Sequence, residues 1–311
     1  MPPAPKSARK AASRAGPTRS RPRHPIPRLS AMMPCDTAFR VVARRYLGDL
    51  AANHEATCRG DPTALHQTRI ALTRLRTAIS FFSPMVTDLQ RARIKAELKW
   101  LNAQLGVVRD LDVAIERLKA ADKAQPKAMP YYRSWTDKRA DAHRHLARAL
   151  RSARYVRLVK SATDWIENGP WSVRNGKQAA KQRASPIAAY GSDKLARLQK
   201  RLLRKSRKLL KMDTEKRHRL RLLNKKLTYS IEFFEDLFSD KRFSKQPAGL
   251  KHLRKAQRSL GQLNDDANAR SLTAALQRDG VQASLQFLGP KREKRLLRTA
   301  AAAYKKLAAL K

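Results

Sequence analysis

The chain has 311 residues, of which 69 are Lys or Arg and 25 are Asp or Glu, for a formal net charge of +44. That length allows one large domain or two of ordinary size, and 42% apolar residues are enough for a core, so wholesale disorder is excluded. A compact body this basic repels itself, which points to a polyanionic partner: nucleic acid, an anionic membrane or a phosphate polymer.

Residues 1–34 stand apart. They hold eight of the sixteen prolines and eight basic residues with no acid, and show no helical period. They read as a disordered basic tail that adds electrostatic reach. An organelle transit peptide is the weaker reading, because the prolines oppose an amphipathic helix. No secretory signal opens the chain, and no apolar run is long enough to span a membrane. Cys35 and Cys58 are too few for a disulfide framework or a zinc site, and fit a reducing, cytoplasmic compartment.

From Asp36 onward the pattern is helical. The remaining prolines fall where apolar-periodic segments start or stop. The clearest start is RGDPTALHQ, with Asp61 as N-cap and Pro62 at the first helical position. The pattern predicts helices over 36–57, 62–82, 86–121, 129–151, 154–167, 191–211, 214–238, 248–278 and 283–310, and no strands. The stretch 168–190, with Gly169-Pro170, Gly176 and Ser185-Pro186, reads as a linker.

The two sides of that linker repeat each other. At an offset of 152, His66 falls on His218, Arg69 on Arg221, Arg74 on Lys226, Leu75 on Leu227, Ile79 on Ile231 and Phe81-Phe82 on Phe233-Phe234. At an offset of 155, LGVVRD (105–110) falls on LGQLND (260–265). Two blocks in the same order, with apolar positions in register, predict an all-α fold. It is built of two four-helix bundles related by an internal pseudo-two-fold, the halves spanning about 36–167 and 191–310.

In helical projection His66, Arg69 and Arg76 share a face beside the apolar stripe of Leu72, Leu75, Ile79 and Phe82. The second copy repeats this with Arg221 and Lys225 beside Leu220, Leu227, Ile231 and Phe234. Arg74 and Lys226 widen the basic side. The next long helix adds Lys95, Lys99, Asn102 and Arg109. If the halves face each other, His66, Arg69, Arg76, Arg109, His218, Arg221 and Lys225 converge on one groove, at a cost in stability that an anion would relieve. Arg offers a planar fork to phosphate oxygens, Lys a point charge and His an N–H donor. A charge run is ordinarily a solvated face, and a His beside an apolar stripe ordinarily packs; the same phase in two copies favours a site. His66 and His218 then predict binding that strengthens as pH falls through about 6.5.

These residues resemble the CHAD domain, the conserved-histidine α-helical domain. The resemblance rests on HQTRIALTRLR (66–76), LGVVRDLDV (105–113), HRLRLLNKKLTY (218–229) and LGQLNDD (260–266), and covers about 36–310. It implies paired four-helix bundles and binding of inorganic polyphosphate through a basic central surface, with association to polyphosphate granules in some members. It implies anion-binding roles for His66, Arg69, Arg74 and Arg76, and for His218, Arg221, Lys225 and Lys226. The chain departs from the pattern at Thr73 and Thr228, where relatives often carry another cation. The Glu-x-Glu-x-Lys of the triphosphate-hydrolysing domain that accompanies many relatives is absent, and no room remains for its β-tunnel.

Catalysis is not expected. The chain has no P-loop, no Gly-rich dinucleotide loop and no Gly-x-Ser-x-Gly. Asp110 and Asp112 point to different faces, as do Asp265 and Asp266 and also His143 and His145, so no metal or cofactor site is predicted. The bland role for Asp110 and Asp265 is pairing with neighbouring cations. Cys58 reads as packing. The alternative is a non-specific nucleic-acid binder, because residues 174–226 carry nineteen basic and three acidic side chains, a net of +16. Against it, aromatics are only 6%, and Phe82 and Phe234 fall on core faces. A membrane-surface role is weaker still, for want of an exposed apolar face.

Overall fold

A computed structural model describes residues 28–122, 129–173, 176–278 and 287–310. Ten α-helices follow in order, with no strand among the described residues: α1 (Cys35–Cys58), α2 (Pro62–Phe81), α3 (Leu89–Asp122), α4 (Met129–Leu150), α5 (Ala153–Asn168), α6 (Lys177–Ala184), α7 (Ile187–Ser206), α8 (Thr214–Glu232), α9 (Gln246–Arg278) and α10 (Pro290–Ala309).

The starts have local causes. Asp61 accepts from the backbone N–H groups of Thr63 and Ala64, with Pro62 at the position whose N–H has no helical partner. Ser152 and Asp213 cap α5 and α8 in the same way. Gly60 carries the turn from α1 into α2 at φ +91°, a conformation that favours glycine, while Arg139 donates to its carbonyl at 2.9 Å.

The first bundle packs α1 on α2 and α2 on α3. α4 and α5 follow one another along α1 and α3 and together fill the fourth place. The second bundle packs α7 on α8, α8 on α9 and α9 on α10, with α10 returning to α7. The bundles meet where α2 crosses α8 and α3 lies on α9. One apolar core runs through both. At its centre the repeated Phe pairs touch, with Phe81 5.5 Å from Phe234 and 6.3 Å from Phe233 between ring centroids. Contact between positions related by the sequence offset is what an internal two-fold would produce.

Three expectations need correction. The tail boundary at residue 34 falls too late: residues 1–27 lie outside the described residues, but Leu29 is buried, and Met33 and Ala31 accept from Ile187 and Ala188 N–H at 2.9 and 3.2 Å. Hydrogen bonding to Pro186–Ala188 gives this stretch partners that a free tail lacks. The expected linker holds α6 and the fully buried Trp171. The indole of Trp171 donates to Trp165 O at 2.8 Å, and Asp88 accepts from both Trp165 Nε1 and Trp171 N. α8 stops at Glu232, not 238, because Phe233 and Phe234 turn into the core and a 3₁₀ turn (Glu235–Leu237) follows.

Candidate functional site

The α2–α8 crossing brings the repeated cations together. Arg69 of α2 lies 4.0 Å from Asp110 of α3, and its charged neighbours are Asp110, Arg109, Arg221 and Asp265. Arg221 of α8 has Asp265 and Asp110 as its own neighbours. Two guanidinium groups therefore flank two carboxylates, one of each from either half. Arg69 Nη1 and Arg221 Nε are buried and make no hydrogen bond among the described residues, although Asp110 beside them is exposed. A buried N–H left unbonded is costly, more so on a cation.

The surrounding groups report the same crowding. Burial, then Arg221 and Arg69, push the Lys225 ammonium down to about 8, against a pull upward from Asp265. Burial, then Arg109, Lys225 and Arg69, hold the His66 imidazole below its ordinary range. Burial raises the Asp110 carboxyl, and Asp265 adds to the rise, while Arg69 opposes it. Arg109 leans 3.5 Å from Glu116. His218 is exposed on the neighbouring turn and donates from Nδ1 to Asn264 Oδ1 at 2.6 Å. Arg76 is lowered by burial alone.

The structure thus gathers His66, Arg69, Arg109, Arg221 and Lys225, with His218 at the rim. It sets apart Arg74, Lys226 and, beside Lys226, Lys95. Arg74 donates to Glu232 at 2.8 Å, beneath the rings of Tyr46 and Tyr229, and Glu232 also accepts from Arg254 at 3.0 Å. Its charge is already matched, whereas the resemblance implies an anion-binding role for it. Lys226 faces the other side of α8, where its cationic neighbours are Lys194, Arg201 and Lys95, and it donates to Ser80 at 2.7 Å. Adjacent lysines on one helix therefore serve two basic clusters.

The remaining carboxylates of the repeated blocks are engaged elsewhere. Asp112 accepts from Arg139 at 3.0 Å, and Asp266 pairs with Arg270 at 2.9 Å and Arg117 at 3.5 Å. Among the described residues no three His, Cys, Asp or Glu side chains are grouped to hold a metal ion. His143 bonds Thr57 O and His145 bonds Arg148, so the two point apart. Burial raises the Cys58 thiol and keeps it protonated. Asn264, Glu232 and the α7 cations Lys194 and Arg201 were not singled out from sequence; the signal for the last two was the +16 run.

Comparison with known proteins follows this geometry. The model of the CHAD domain family matches residues 41–274. The fold is similar to the crystal structure of the CHAD domain from the plant Ricinus communis, with a TM-score of 0.73 and 24% identity over 92% of this chain and 96% of that one. It is also similar to PptA from Streptomyces chartreusis, with a TM-score of 0.54 and 15% identity over 89% of this chain and 96% of that one. No curated protein matches the chain. At these identities the two structures speak for the fold alone.

Proposed function

Since the chain belongs to the CHAD domain family, we propose that it binds inorganic polyphosphate, without catalysis, in the groove where α2 crosses α8. The family's association with polyphosphate supports this. The observation that carries it is local: Arg69 and Arg221, at repeated positions, each hold a buried N–H with no hydrogen bond, beside a Lys225 whose proton is already loosened. A phosphate chain offers those groups oxygen acceptors and compensating charge along one line. His66, Arg109 and His218 extend the line and Arg76 adds charge on α2, while Lys95 and Lys226 belong to the cluster with Lys194 and Arg201. Asp110 and Asp265 act as internal counter-ions in the empty groove, not as acid and base. Attachment to polyphosphate granules in the cytoplasm would follow from such binding.

The test is a competition titration at about 0.15 M salt, held fixed because phosphate contacts are screened. Labelled long-chain polyphosphate is displaced by unlabelled polyphosphate, or by single- or double-stranded nucleic acid at equal phosphate concentration. Nucleic acid is expected to compete far worse. Replacing Arg69 and Arg221 with Ala is expected to weaken polyphosphate binding by about a hundredfold, roughly two charge-assisted contacts. Equal competition, or a folded double variant with parental affinity, overturns the reading.

A further inference from the structure

Away from the α2–α8 crossing lies a cleft of about 1310 Å³ between α7, α10 and the turn around Lys241–Gln246. Its walls are mostly basic, with Asp193 a carboxylate among them. Arg197, Lys200, Arg201 and Arg204 of α7 line it, with Arg207 just past the helix end. At 1.5 Å rise per residue they form a ladder about 15 Å long. All five are exposed, and none has a carboxylate within ion-pair reach among the described residues. Across the cleft Lys241 adds charge, whereas Arg242 is already held by Asp240. The floor is aliphatic, from Leu203, Leu307 and Leu310, and no aromatic ring lines it among the described residues.

Unmatched cations normally spread apart on a surface. Here they line one concave wall. Arg201 faces both the cleft and Lys226, and Lys226 adjoins Lys225 of the groove on α8. α8 is therefore a thin partition between two cationic surfaces.

We propose that the α7–α10 cleft is a second phosphate-chain site, so that one long polyphosphate molecule is held at two places on the protein. This rests on the reading of the chain as a polyphosphate binder and adds where the polymer goes when it leaves the groove. The ring-free aliphatic floor favours a bare phosphate chain over nucleic acid, whose bases would find nothing to stack on. Two linked contacts raise affinity by effective concentration, so the gain appears for chains long enough to span both sites and not for short ones.

Calorimetric titration of the full chain at about 0.15 M salt tests this, with tripolyphosphate as the short probe and long-chain polyphosphate as the other. The cleft variant is Arg197→Gln/Arg201→Gln/Arg204→Gln. A control, Arg151→Gln/Arg157→Gln/Lys160→Gln, removes three exposed cations at and beyond the start of α5, off the cleft. The parent and the control are expected to take two tripolyphosphates and the cleft variant one. Long-chain affinity should fall at least about tenfold more in the cleft variant than in the control. Parental stoichiometry with equal long-chain affinity in cleft variant and control overturns the proposal. So does a cleft variant that loses duplex DNA binding while both polyphosphate readouts stay parental, which would make the cleft a nucleic-acid surface. Should the triple variant melt below the parent, Arg204→Gln alone repeats the measurement. Arg69→Ala/Arg221→Ala, run in parallel, reports on the groove separately: if it alone is without effect, the groove reading fails and the cleft stands.

Discussion

Lys225 shows what the empty groove costs. A drop from 10.5 to about 8 corresponds to about 3 kcal/mol of disfavoured charge. Below pH about 8 the lysine is protonated in folded and unfolded chains alike, and the folded state bears the whole penalty. Between about 8 and 10.5 the folded protein gives up its proton first, so the stability of the empty protein rises with pH across that window. Polyphosphate reverses the balance by favouring the charged ammonium. Binding at pH near 8 is therefore expected to take up a fraction of a proton, measured as heat that changes with the ionisation enthalpy of the buffer, and Lys225→Met should abolish that dependence. His66 obeys the same logic lower down. Its imidazole is held below the ordinary range in the empty protein, so the strengthening of binding on acidification continues below about 6.5. Such a groove was partly legible in the repeat, because Arg69, Arg221 and the aspartates fall at matching positions. The division of Lys225 from Lys226 was not, since it depends on which helices flank α8. The pairing of Arg74 was hidden for a similar reason: its partner Glu232 lies 158 residues away.

At the scale of the helix, most ends were read to within a residue, while several starts were missed by two to seven. Asp61-Pro62 marks its start by local chemistry alone, and so does Gly289-Pro290, which places α10 at residue 290 although the apolar period suggested 283. α7 begins at Ile187, before the expected 191, because Gly191 lies inside the helix and not ahead of it. Its reason is packing: a Cβ there would meet Phe234 Cζ at 2.9 Å, and that ring is wedged among Phe81, Phe243 and the rest of the core. Gly191→Ala is therefore expected to destabilise the protein by about 1–3 kcal/mol despite the better helix propensity of Ala. The measurement is the shift in urea midpoint at unchanged slope. Trp171 escaped a pattern-based reading because Gly and Pro neighbours imitate a linker, while its place depends on Asp88, far away in the chain, and on the end of α5 just before it.

Across the whole molecule, charge opposes folding and favours binding. The empty protein carries +44 overall, so added salt should raise its melting temperature by screening self-repulsion, while the same salt weakens polyphosphate binding. Saturating polyphosphate at low salt should raise the melting temperature further, by mass action; at 100 times Kd the gain is about 2.7 kcal/mol. A melting temperature unmoved by polyphosphate would contradict a structured groove. The all-helical, two-bundle architecture was readable from the offset between halves. Their fusion through one core was not, because the offset says which residues correspond and nothing about which of them touch.

The short stretch ahead of α1 sets a schedule for synthesis. Leu29 N–H bonds to Asp236, 207 residues later, and Cys35 N–H bonds to Ser185 O. At the ribosome, these residues emerge long before their partners exist, by roughly 10–40 s for the Leu29–Asp236 pair at ordinary elongation rates. The first bundle must wait through that interval with Leu29 at its N-terminal edge unfastened. The clasp closes only after the second half has left the tunnel, so the nascent chain offers chaperones a defined window, and a polypeptide released early is marked as unfinished by an open seam at its own beginning.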